Sequence, residues 1–158
     1  MDNLRALYTT TDGRISRKQW WIGLVGIIIA SILVSIILYI IGVGLYGWGQ
    51  IIGFLVLIYP SYCIGIKRRQ DRDNSGLDYK IMVGLTALMT VLQAFNIGMT
   101  PTDIGNGMVV MSPNGPMLAF QAVVGIFGLY VLIQLGFLRG TPGSNSYGPD
   151  PLGYAITA

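Results

Sequence analysis

WWIGLVGIIIASILVSIILYIIGVGL, residues 20–45, carries no ionisable side chain except one tyrosine, and it exceeds the roughly 20 apolar residues that cross a bilayer. A chain of 158 residues that is 53% hydrophobic, 11% charged and has a mean hydropathy of +0.61 has too much apolar side chain for a soluble core of its size. Lipid is therefore the expected solvent. Working outward, three further apolar runs lie at about 50–66, 80–98 and 117–138. With the first they predict an all-α membrane protein, a bundle of four transmembrane helices forming one domain over 1–158.

All ten Lys and Arg residues fall in three of the five polar segments that flank these runs: Arg5, Arg14, Arg17 and Lys18, then Lys67, Arg68, Arg69, Arg72 and Lys80, then Arg139. Cations are retained on the cytoplasmic side of a membrane, so both termini are expected there, with polar cytoplasmic loops and a tail, 139–158, packed on the bundle. The net charge of +3 then reflects orientation and attraction to anionic lipid head groups, and no nucleic-acid partner is predicted.

Local signals refine the picture. Ser16 and Gln19 have the spacing of a capping box, with Ile15 and Trp20 placed as a hydrophobic staple, so the first long helix should start at Ser16. Leu4, Leu7 and Tyr8 predict a short amphipathic turn lying on the inner leaflet. Pro60 should kink the second span. In the loop between the third and fourth spans, Asn106-Gly107 signals a turn and 108–111 a short strand.

Chemistry has few places to reside. Cys63 is the single cysteine, which excludes an intrachain disulfide and a cysteine-rich metal site, and the chain has neither His nor Glu. No Asp, Lys or Arg occurs at hydrocarbon depth, which disfavours an ion-coupled transporter. Thr86, Thr90 and Gln93 form an intramembrane polar stripe, expected to hydrogen-bond across helices to Gln121 or Gln134. Pairs of small residues such as Gly26 and Ala30, or Ser61 and Gly65, are expected mainly to pack helices within the chain.

Three remote segments must meet on the cytoplasmic side if this topology holds: G-R-x-S-R-x-x-W-W at 13–21, K-R-x-x-D-x-D-x-S-G at 67–76 and G-T-P-G-x-N-x-Y-G-P-D-P at 140–151. Together, in this order, they resemble domain-of-unknown-function family eight hundred and five, small bacterial inner-membrane proteins. The resemblance implies a four-helix inner-membrane domain with no activity to carry over. It departs at one position: where the family pattern reads R-L-H-D, this chain has Arg68-Arg69-Gln70-Asp71, and Gln70 neither shuttles protons nor readily binds a metal.

The candidate site is a cytoplasmic polar latch or anion site of Arg14, Arg17, Arg68, Asp71, Asp73, Ser75, Asn145, Tyr147 and Asp150. As an anion site its arginines, with Arg72, would hold a phosphate; as a latch, Arg14 or Arg68 would pair internally with Asp71, Asp73 or Asp150. No catalytic residue, metal or cofactor is expected. The leading functional expectation is a non-enzymatic scaffold or accessory subunit docked to another integral membrane protein, or a homo-oligomer. The alternatives are a small-solute channel or transporter, and a lipid-binding or lipid-acting protein at the cytoplasmic leaflet.

Overall fold

The computed structural model describes residues 2–153, with side chains from Arg5 onward. Residues 154–158 of the expected tail, Met1, and the Leu4 side chain of the expected amphipathic turn lie outside the described residues. The order of elements is α1 (Asp2–Thr9), α2 (Arg17–Ile40), α3 (Trp48–Gln70), α4 (Leu77–Ala94), β1 (Met99–Asp103), β2 (Val109–Pro113) and α5 (Gly115–Leu132), which runs on into a π-helical turn, Ile133–Phe137. The stretches Arg17–Ile40, Trp48–Gln70 and Gly115–Phe137 are each long and apolar enough to cross a membrane, which marks the chain as a membrane protein. The fourth long helix, α4, has 18 residues and carries Asp78 in its first turn.

Each helix ends where local chemistry ends it. Ser16 caps α2 by the reciprocal box with Gln19, its hydroxyl accepting from the Gln19 N–H and its own N–H donating to Gln19 Oε1 at 2.8 Å. The helix stops at Ile40 and not near Leu45, because Gly42 turns left-handed at φ 76° and returns the chain toward Leu38. The helix α4 likewise stops at Ala94, short of the expected 98, since Asn96 adopts φ 53° and the Ile97 N–H closes back on the Leu92 carbonyl. In contrast α3 runs four residues past the expected 66, carrying Lys67, Arg68 and Arg69 on its last turn.

A two-stranded sheet corrects the all-α expectation. Strands β1 and β2 pair antiparallel, with Met99 opposite Pro113 and Asp103 opposite Val109, around a turn in which Gly105, Asn106 and Gly107 all take positive φ. The turn falls where Asn106-Gly107 placed it.

Packing is concentrated at one end. Leu7, Ile15, Trp20, Ile64, Val131 and Leu135 form the buried core, with Tyr8, Leu24, Tyr79 and Phe127 against it. Here α1 forms where a short amphipathic turn was expected, and its apolar face has a partner within the chain. It docks on the bundle: Leu7 is 7% exposed, the Tyr8 hydroxyl donates to the Gly23 carbonyl at 3.2 Å, and Lys67 Nζ donates to the Ala6 carbonyl. Small residues allow close helix approach, and Gly65 lies so near the Tyr79 ring that a Cβ would sit 2.1 Å from it. Away from this end the helices expose Ile28, Ile32, Ile36, Val123 and Ile126 at half or more of their surface, as lipid-facing side chains do.

Candidate functional site

Asp71, the residue that closes α3, is the hub of the polar end. Its side chain is 5% exposed and lies between two guanidinium groups. Arg14 donates from Nε to Oδ1 at 3.1 Å, and Arg68 donates from its terminal nitrogen to Oδ2. The Asp71 carbonyl accepts from the Thr141 N–H at 2.9 Å and the Thr141 hydroxyl at 3.1 Å. Close approach of the tail is possible because residue 140 is glycine: a Cβ there would fall 2.0 Å from Asp71 Oδ2.

The two arginines finish what Asp71 begins. Arg14, with a side chain 1% exposed, also donates to the carbonyls of Gly143 (2.6 Å), Gly148 (3.2 Å), Thr141 (2.6 Å) and Asp71 (3.4 Å), so its whole fork is spent on its own chain. Arg68 is fully buried and reaches the end of the last helix, donating to the Leu135 carbonyl at 2.7 Å and to the Leu138 carbonyl. Trp21 donates its indole N–H to the Gly136 carbonyl at 3.1 Å, and Arg17 donates to the Phe137 carbonyl at 3.2 Å. Four successive carbonyls that a helix end leaves without partners, 135 to 138, are thus capped by donors from α2 and α3. Two of the three donors are cations placed at the negative end of the helix dipole.

The tail is held by a second layer of bonds. Asn145 donates to the Gln70 carbonyl and to the Thr141 hydroxyl, both at 2.9 Å, and its own Oδ1 accepts from the Tyr147 N–H. Asp73 accepts from the Ser146 N–H at 3.2 Å. Asp150 accepts from the N–H groups of Leu152 (2.9 Å) and Gly143 (3.1 Å). Foremost the Leu152 N–H, against the opposing effect of burial and with help from the Gly143 N–H and the charges of Arg14 and Arg139, holds the Asp150 carboxyl below its ordinary value.

The structure therefore brings together Arg14, Arg17, Arg68, Asp71, Asp73, Asn145, Tyr147 and Asp150. Ser75 is exposed and makes no side-chain bond to them. Sequence reasoning missed Trp21, Gly140 and Thr141 as members, although all three lie inside the quoted motifs. It also missed a neighbouring pair, Arg69 and Asp78, whose charged atoms approach to 2.9 Å without hydrogen-bond alignment. Gln70 takes part through its backbone alone, its Oε1 being buried without a protein partner.

The polar stripe requires a correction. Thr86 and Thr90 do not bridge helices; their hydroxyls donate back within α4, to the carbonyls of Met82 (2.9 Å) and Thr86 (2.8 Å). Gln134 accepts from Arg69 and Arg72 at the polar end and not from the stripe. What Thr86, Thr90 and Gln93 do share is a cleft among α2, α3 and α4, made of three adjoining cavities. Beneath the hairpin, about 640 Å³ is lined by Tyr46, Gln50, Gln93, Asn96 and Met111. The middle cavity, about 330 Å³, adds Ser31, Ser35 and Thr90 and shares Gln50 and Gln93. The innermost, about 350 Å³, is lined by Ile27, Phe54, Leu57, Tyr79, Met82 and Thr86.

Apolar helices tied at one end by a buried arginine-aspartate latch, and parted by a cleft toward the other, define a helical membrane protein built around a fixed polar base. The chain belongs to the family described as "Protein of unknown function (DUF805)", whose model matches residues 8–149 and so includes the cleft and every latch residue but Asp150. No curated protein and no solved structure matches the chain.

Proposed function

We propose that this chain is a non-catalytic integral protein of the bacterial inner membrane, with four crossings and both termini cytoplasmic, that serves as an accessory subunit or scaffold for a larger membrane complex. The fourth crossing is α4. Its 18 residues rise about 27 Å, close to the roughly 30 Å of a hydrocarbon core. It begins beside the latch, where Asp78 faces Arg69, and ends where Phe95 meets Trp48 at the start of α3, ring centroids 5.8 Å apart. The same slab is thus traversed by α3 and α4, and Asp78 stays at the polar edge.

The observation that carries the scaffold reading is the exhaustion of Arg14. All of its donors are bound to its own chain, and Arg68 is sealed from solvent, so these two arginines act as a lock between helix ends and tail and offer no free fork to a phosphate. The remaining surface is suited to lateral contact. At Gly84 on α4 and Gly125 on α5 an added Cβ would meet no atom within 4 Å, leaving notches in otherwise apolar faces where a foreign helix can approach closely. Gentle-detergent extraction of the tagged chain from its native membrane is expected to bring a stoichiometric integral partner. Recovery only as a free monomer overturns the reading.

A further inference from the structure

We propose that the cleft among α2, α3 and α4 seats one hydrocarbon chain of a lipid whose head group is uncharged and donates a hydrogen bond, drawn from the leaflet on the hairpin side. The inference rests on the four-crossing reading, which places the cleft within one leaflet. Its lining changes from polar to apolar with depth: Gln50, Gln93 and Asn96 near the hairpin, Ser31, Ser35 and Thr90 next, then Phe54, Leu57 and Met82. An amphiphile has this same gradient. From Gln50 to Ser61 the α3 wall rises about 16 Å, close to half of a roughly 30 Å hydrocarbon core.

The head group's chemistry follows from the mouth. Among the described residues no Asp, Lys or Arg lines any of the three cavities, so a charged head would lie there uncompensated. Gln50 Oε1 is buried and has no donor, and Gln50 and Gln93 both line the outer and middle cavities. A hydroxyl supplies the missing donor, which points to a diacylglycerol-like or prenol-like lipid. The deep end suits no polar solute, because the Thr86 hydroxyl is turned back onto its own helix and Tyr79 donates to the Ser61 carbonyl at 2.8 Å. A partner helix, about 10 Å across, is too thick for cavities of this size. Entry is sideways. No α5 residue lines these cavities, and α2 packs against the π-helical end of α5 and not along its length, so the cleft has three helical walls and lacks a fourth.

The test is photolabelling of the full chain in phosphatidylcholine nanodiscs doped with a diacylglycerol whose acyl chain ends in a diazirine, the adducts being mapped by peptide mass spectrometry. Adducts are expected on Phe54, Leu57, Ile58 and Met82 in preference to the lipid-facing Ile32, Val56 and Leu118. Gln50→Leu should reduce cleft labelling by about threefold to tenfold, the equivalent of one hydrogen bond. Gly53→Phe, which fills the cleft, should abolish it. Uniform adducts over all apolar faces overturn the proposal. So do equal cleft labelling by a phosphatidylcholine carrying the same diazirine, indifference to Gln50→Leu, and a cleft found occupied by a co-purifying polypeptide. Labelling of Ser75→Cys and Asn106→Cys by an impermeant maleimide, run on the same preparation in vesicles, reports the four-crossing reading separately. Uniform adducts with the two cysteines on opposite sides reject the lipid alone.

Discussion

Asp71 holds two guanidinium groups and the backbone of residue 141 at once, and the consequences are specific to that side chain. Asp71→Asn keeps its shape but leaves Arg14 and Arg68 without their counter-charge in a buried site, which should cost about 3–5 kcal/mol. The midpoint of unfolding in mixed detergent micelles should fall accordingly. Arg17→Ala removes one exposed bond to the Phe137 carbonyl and should cost no more than about 1 kcal/mol. Equal effects of the two substitutions would contradict the latch. Asp150 adds a pH dependence with a definite sign. Its carboxyl is depressed in the folded chain, so its contribution to tail docking is present above the ordinary value near 3.8 and is lost as the pH falls through the lower folded value. Protection of 140–153 from proteolysis should weaken in that acid window, and Asp150→Asn should remove this part of the dependence.

At the scale of elements, the cap of α2 and the close contact of the tail are separable. Gly140→Ala drives a Cβ into the Asp71 carboxylate and should destabilise by about 1–3 kcal/mol. Gly125→Ala, on a helix face with open space, should be neutral or stabilising by up to about 1 kcal/mol because alanine is the better helix former. Reversal of that order in the same unfolding assay would sink the packing account. The start of α2 was readable from Ser16 and Gln19 because a capping box is a local device. The hairpin turn was readable for the same reason. The end of α3 was not, since Lys67, Arg68 and Arg69 look like loop until their distant partners are supplied: the Ala6 carbonyl for Lys67, the Leu135 and Leu138 carbonyls for Arg68 and the Gln134 side chain for Arg69. The stripe on α4 was visible as a face. That its threonines bond within their own helix depends on rotamers that no spacing reveals.

Across the whole molecule, order is polarised: a tight core and latch at one end, parted helices and a surface hairpin at the other. The distribution of Lys and Arg anticipated which segments meet, because all ten lie in three stretches distant in sequence and a bilayer tends to retain Lys and Arg on one side. The central claim is that α2 to α5 each cross the membrane, with the latch cytoplasmic and the hairpin on the opposite side. It is tested most directly by single cysteines in a Cys63→Ser background, Ser75→Cys beside the latch and Asn106→Cys at the hairpin turn, exposed to an impermeant maleimide on intact spheroplasts. The account predicts that Asn106→Cys is labelled from outside and that Ser75→Cys is labelled only after lysis. Labelling of both from the same side would contradict it.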